Sequence, residues 1–123
     1  MISYTMVGTK DLKKACDFYD KVLSEVGAKR TMEFETAIVW GTAMDKPMFS
    51  VCLPFNGKKA TAGNGTMISL SASSPEQVDA LYNSALANGG KCEGAPGPRG
   101  GPNYMAYFRD LDGNKLAAYH FVA

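Results

Sequence analysis

One order of elements, strand–helix–strand–strand–strand, occurs twice along this chain, and the duplication limits what it can fold into. In the first copy, residues 2–7 form a short β-prone run. Leu12, Ala15, Cys16, Tyr19, Val22, Leu23 and Val26 then recur at spacings of three and four, which is an amphipathic helix, and Gly27 is a natural stop for it. Residues 28–34, 36–42 and 48–53 follow as strands. The second copy opens with a strand over 66–72. Ser73 or Ser74 caps a helix that begins at Pro75, carries Glu76 in its first turn and buries Val78, Leu81, Tyr82, Ala85 and Leu86. Asn88-Gly89-Gly90 ends it. Strands at 91–94, 104–109 and 115–122 close the chain, the last two joined by an Asp112-Gly113-Asn114 turn.

The copies align by counting. An offset of about sixty-three places Tyr4 on Met67, Phe18-Tyr19 on Leu81-Tyr82, Leu23 on Leu86 and Gly27 on Gly90. In the later strands the offset is about sixty-seven, which pairs Trp40 with Tyr107, Asp45 with Asp112 and Ser50 with Ala117. The additional residues fall in 94–102 (GAPGPRGGP), read as a loop, where insertion costs little. The expected fold is α+β: paired βαβββ modules, 1–54 and 65–123, joined by a linker at 55–64 within a single domain of residues 1–123 and forming an open, U-shaped mixed sheet. Either module alone is too small to bury its own core. Two together leave a concave surface, and a second chain completing it makes a homodimer the default expectation.

Composition removes several function classes. Hydrophobic residues make up 46% and charged residues 20%, as in ordinary globular proteins, and the net charge is +1. No Lys/Arg cluster supplies the footprint of a nucleic-acid binder. No apolar stretch is long enough to span a bilayer, and the first residues lack the pattern of a secretory signal. Cys16, Cys52 and Cys92 are odd in number and without paired spacing, so free thiols and a cytoplasmic setting are expected. Ser69, Ser71, Ser73 and Ser74 have no His–Asp support, and no phosphate-binding glycine motif is present.

Four segments carry a family resemblance. They are Thr9-Lys10-Asp11-Leu12, then Phe18-Tyr19 with Leu23, then Gly63-Asn64-Gly65-Thr66, and finally the run from Tyr107 through Asp110, Asp112, Gly113 and Asn114 to Leu116. With them the chain resembles the vicinal oxygen chelate superfamily of glyoxalase I, extradiol dioxygenases and bleomycin-binding proteins. The resemblance implies paired βαβββ modules around a small-molecule cleft. It also implies where metal-dependent relatives place their ligands, at Tyr4, Ser50, Met67 and Ala117.

Those four residue types do not suit a divalent cation, which takes imidazole and carboxylate donors. Between Lys46 and Pro75 the chain has no Asp, Glu or His, so no local shift of register restores a ligand. The expectation is a metal-independent protein that requires no cofactor and binds a small molecule. Its ligand would lie against Tyr4, Trp40, Ser50, Met67, Tyr107, Ala117 and Tyr119, with Arg99 reaching from the glycine-rich loop to a carboxylate or phosphate. The alternative is a glyoxalase-like lyase or isomerase with relocated catalytic groups, drawn from Glu33, Glu35, Tyr4 or a neighbouring chain's His120. Strand parity puts Ala117, Tyr119 and Phe121 on one face and Ala118 and His120 on the other.

Overall fold

The computed structural model describes residues 1–122. Strand β1 (Tyr4–Gly8) leads to helix α1 (Leu12–Ser24), which is followed by β2 (Lys29–Glu33), β3 (Ala37–Gly41) and β4 (Met48–Cys52). The second module runs β5 (Ile68–Ser71), α2 (Pro75–Ala87), β6 (Lys91–Pro98), β7 (Asn103–Arg109) and β8 (Lys115–Phe121). Each module folds into its own four-stranded mixed sheet, in the orders β1-β4-β3-β2 and β5-β8-β7-β6. Among the described residues the parallel pairs are β1 with β4 and β5 with β8, as the helical crossovers require. The fold is therefore the expected α+β pair of βαβββ modules. β1 and β5 each have one hydrogen-bonded neighbour and so are sheet edges.

Both helices start where side-chain chemistry starts them. Asp11 caps α1 by accepting from the Lys14 N–H, and Ser74 caps α2 by accepting from the Gln77 N–H, with Pro75 in the first turn. Gly27 ends α1 in the left-handed region at φ 76°, where a side chain is strained. The two helices pack on each other, and Gln77 of α2 donates to the Glu25 carbonyl at the end of α1.

The helix-facing sides of both sheets feed one continuous core. Phe49 and Val51 of β4, Val22 of α1, Val78 and Leu81 of α2, Phe108 of β7 and Leu116 of β8 are all buried in it. Each such side chain contributes about 1.5–3 kcal/mol through its burial. Trp40 and Tyr19 pack there with their ring centroids 5.8 Å apart. Burial raises the thiol of Cys16, in the core, and that of half-buried Cys52 above their usual range.

A polar latch ties the start of the chain to its last hairpin. Asp110, 5% exposed, accepts from the Tyr19 hydroxyl, from the Asn114 amide at 2.9 Å and from the backbone N–H groups of Asp112 and Asn114. Asn114 also donates to the Gly8 carbonyl, and Asp112 accepts from the Thr9 hydroxyl and the Lys10 N–H. The Asp112-Gly113-Asn114 segment is thus more than a turn between strands, because it fastens one module to the other.

β6 differs from its expectation. It extends to Pro98 through two irregularities, between Cys92 and Gly94 and between Gly94 and Gly97. Residues read as loop pair with β7, and the glycines permit this because their missing side chains leave room for what lies across from them.

Candidate functional site

Each sheet turns one face toward the helices and one face away, and the open faces carry most of the predicted site. In the first module β1 runs beside β4, with Tyr4 opposite Met48 and Met6 opposite Ser50, while Val39 of β3 stands on the other side of Ser50. In the second, Ser69 of β5 and Tyr107 of β7 flank Ala117 of β8, and Tyr119 lies one rung along between Ser71 and Met105. The residues directly beside the β4 and β8 positions are therefore Met6 and Ser69. Tyr4 and Met67 sit further toward the strand starts.

Trp40 does not share the open face. It is 1% exposed, packs against Tyr19 and Phe49, and donates its indole N–H to Asp20 at 2.9 Å. Arg30 grips the same carboxylate at 2.7 and 3.0 Å, and these hydrogen bonds, Arg30's first, hold Asp20 below its ordinary pKa. The place on the open face of β3 belongs to Val39. The cause is a hairpin one residue longer in the first module: Val39 and Ser50 are eleven positions apart, whereas Tyr107 and Ala117 are ten. A one-residue slip exchanges faces.

On the open face of the first sheet lies a cavity of about 610 Å³, a volume suited to a small organic molecule. Its lining comes entirely from residues 1–50, among them Tyr4, Met6, Met32, Phe34, Val39 and Ser50. Tyr4 is 61% and Met6 46% exposed, so the wall is open to solvent. Ser50 forms the floor. Its hydroxyl is fully buried and has no hydrogen-bond partner, alone in this among the buried side-chain polar atoms of the described residues. An unpaired buried hydroxyl costs about 1–3 kcal/mol, so this group destabilises the protein unless something in the cavity engages it. Ser50→Ala is accordingly expected to leave thermal stability unchanged or raise it by up to about 1 kcal/mol, measured by calorimetry.

A second cavity, of about 700 Å³, opens between the modules on the helix side, bordered by Thr5, Leu23, Trp40, Leu70 and Gln77. The structure does not bring the four carried-over positions into either cavity together. Tyr4 and Ser50 belong to the first sheet, and Met67 and Ala117 line neither space. Ala117 is a fully buried floor residue like Ser50, and Met67 lies just before β5, 42% exposed.

Tyr119 donates its hydroxyl to Asn103 at 2.8 Å, and Arg99 lies over the Tyr107 ring. Lys115, which the sequence reading passed over, stands over the same ring. Its parity with Ala117 on β8 was the signal that could have found it. His120 is on the helix side with Nδ1 2.9 Å from the Ala72 carbonyl, so within its own chain it is remote from the open face. Glu33 is paired with Arg30 at 2.9 Å, and Glu35 lies in the exposed connection between β2 and β3.

Tyr4, Ser50, Met67 and Ala117 do not fit a divalent cation: phenol, hydroxyl, thioether and methyl offer no imidazole or carboxylate. Among the described residues no group of three or more His, Cys, Asp or Glu side chains could hold a metal ion. No helix among them is long and apolar enough to cross a membrane.

Comparison with known proteins agrees with the geometry. The family model for the glyoxalase/bleomycin resistance protein/dioxygenase superfamily matches residues 1–118. A glyoxalase/bleomycin resistance protein from Albidiferax ferrireducens T118 is 40% identical, with a TM-score of 0.89 over 98% of both chains. The hypothetical protein SA1046 from S. aureus is 23% identical, with a TM-score of 0.72 over 97% of this chain and 91% of that one. Lactoylglutathione lyase from Agrobacterium tumefaciens is 18% identical, with a TM-score of 0.70 over 97% and 92%, a likeness of fold alone. No curated protein shows significant similarity to the chain. The doubled module, its open faces and the match across nearly the whole sequence lead to one statement: the chain belongs to the glyoxalase/bleomycin resistance protein/dioxygenase superfamily.

Proposed function

We propose that this protein is a metal-independent, cytoplasmic small-molecule-binding member of the superfamily, working as a homodimer in which two chains complete each cleft. The observation that carries the reading is the Ser50 hydroxyl, fully buried and unpartnered on the floor of a largely apolar cavity with Ser3, Asp45 and Lys46 at its border. The chain itself offers this hydroxyl no partner, and a molecule that displaced the adaptable methionine side chains around it would supply one. Methionines 6, 32, 44 and 48 on the wall adapt to varied apolar shapes. Support for the dimer comes from the division of the site. One chain presents two half-faces on separate sheets, and each is bordered by an edge strand, β1 or β5, with free hydrogen-bonding groups. Pairing β1 of one chain with β5 of another would bring Tyr4, Met6 and Ser50 opposite Ser69, Tyr107 and Ala117.

The test combines sedimentation with metal titration on folded protein. A mass of twice the 13.2 kDa chain is expected, with no stoichiometric uptake of Ni(II), Zn(II) or Mn(II) at micromolar concentrations. Uptake of one equivalent would overturn metal independence, and a monomer at high concentration would overturn the shared cleft.

A further inference from the structure

The open face of the second sheet has an electrostatic character that the first lacks. Arg99 holds its guanidinium carbon 5.6 Å from the centre of the Tyr107 ring, and the Lys115 ammonium lies 5.4 Å from the same centre. Both distances are those of cation–π contacts. Neither cation has a carboxylate within ion-pair distance among the described residues, whose ion pairs use Lys13, Arg30 and Arg109 instead. Arg109 projects from the same face but is neutralised by Glu93 at 2.7 Å, and the Lys115 charge also acts on that carboxylate from outside ion-pair distance, which leaves Arg99 as the less compensated cation.

Arg99 is held, although exposed. Its Nη1 donates to the Gly97 and Pro98 carbonyls and its Nη2 to the Ala95 carbonyl. Neutral carbonyls orient a guanidinium without cancelling its charge, and a guanidinium has five N–H donors, so Nε–H and part of the Nη2 edge remain undonated. The two glycines beneath it explain the irregular path of β6. A Cβ on Gly97 would come 3.2 Å from Nη1, and one on Gly94 would come 2.9 Å from the Tyr107 ring and 3.4 Å from Nη2. Any side chain at these positions would push the guanidinium or the ring out of place. The glycine-rich segment is thus a seat for Arg99. Beside it lie the small floor residue Ala117 and the exposed Ser69 hydroxyl on edge strand β5.

We infer that Arg99, seated beside Tyr107, is an anion-binding subsite on a face whose positive charge Lys115 reinforces, and that the ligand is a small organic acid whose carboxylate or phosphonate lies against the free Nε–H edge of the guanidinium. The inference rests on the open faces being the binding cleft. It adds polarity to that cleft, because an apolar body would lie against the methionine-lined half while the acidic head lies against this one. The Tyr107 ring holds the cations in place through its electron-rich face.

The experiment is a titration of isotope-labelled full-length protein followed by amide and Arg Nε–H resonances. The probes are benzoate, 2-naphthoate and phenylphosphonate, with benzamide and 2-naphthamide as neutral counterparts. The acids are expected to shift the resonances of Gly94, Gly97, Arg99 and Lys115 saturably, and the amides to bind about tenfold more weakly or worse. Arg99→Ala should weaken the acids about tenfold and Lys115→Ala about two- to threefold, both leaving the amides unaffected, and Arg99→Lys should recover part of the loss. Acids and amides that bind equally, with shifts around Ser50 and Met6, would overturn the anion subsite and leave the cleft standing. The absence of any shift on both open faces would overturn both.

Discussion

Asp110→Ala is expected to lower folding stability by about 3–5 kcal/mol, because the Tyr19 hydroxyl, the Asn114 amide and two backbone N–H groups lose their common acceptor inside the protein. For a chain of this size the melting temperature falls by about 10 °C or more, read by calorimetry. Asp110→Asn costs less, about 1–2 kcal/mol, because it keeps one acceptor oxygen but turns an amide donor toward other donors. Tyr19→Phe adds a pH signature. Burial first, and then the Asp110 carboxylate, push the Tyr19 phenol well above its usual value. A raised acid pKa means that the native state keeps a proton which the unfolded chain releases. Its contribution is therefore complete below about pH 10 and declines as the pH rises further. Denaturant titrations should show the stability gap between wild type and Tyr19→Phe narrowing from pH 8 to pH 11. A gap that widened would contradict the assignment.

Gly90→Ala should be almost as damaging, at about 3 kcal/mol, through a different mechanism. A Cβ there would lie 2.7 Å from the Arg109 carbonyl oxygen and 2.8 Å from that of Ala85, and both obstacles are backbone. Either the end of α2 or strand β7 must move. Gly27→Ala, its counterpart by counting, meets nothing within 4 Å and carries only the strain of a left-handed φ of 76°, about 1–2 kcal/mol. Thermal melts of the two variants separate close approach from backbone conformation as reasons for glycine. Equal losses would show that the packing at Gly90 yields more readily than its geometry allows.

That pair also shows how much of the architecture was legible in the residues. Counting matched Gly27 to Gly90, but by conformation the partner of Gly27 is Gly89, at φ 98°. Element order, both helices and their caps follow from periodicity and local chemistry, which act over a few residues. The faces were harder. A constant offset set Trp40 beside Tyr107, and one extra residue in the first hairpin turned Trp40 into the core and brought Val39 to the cleft side. Period-two patterns carry no memory of hairpin length, so such a slip is invisible until strands are paired. Lys115 was missed for a related reason, since a lysine beside a turn has no mark of function until Tyr107 is found beneath it. The division of Tyr4 and Ser50 from Met67 and Ala117 is tertiary information, set by how the helices join the sheets and absent from either module's pattern.

The latch between Gly8–Lys10 and the 110–114 turn has a consequence for how the chain folds. Its bonds join residues about a hundred positions apart, so nearly the whole chain forms a loop before any of them can close. Such closure loses entropy in advance of its reward, which slows the search and couples both modules to one event. Strand β1, written first, pairs with β4 inside its own module, but its far end is fastened by the hairpin written last.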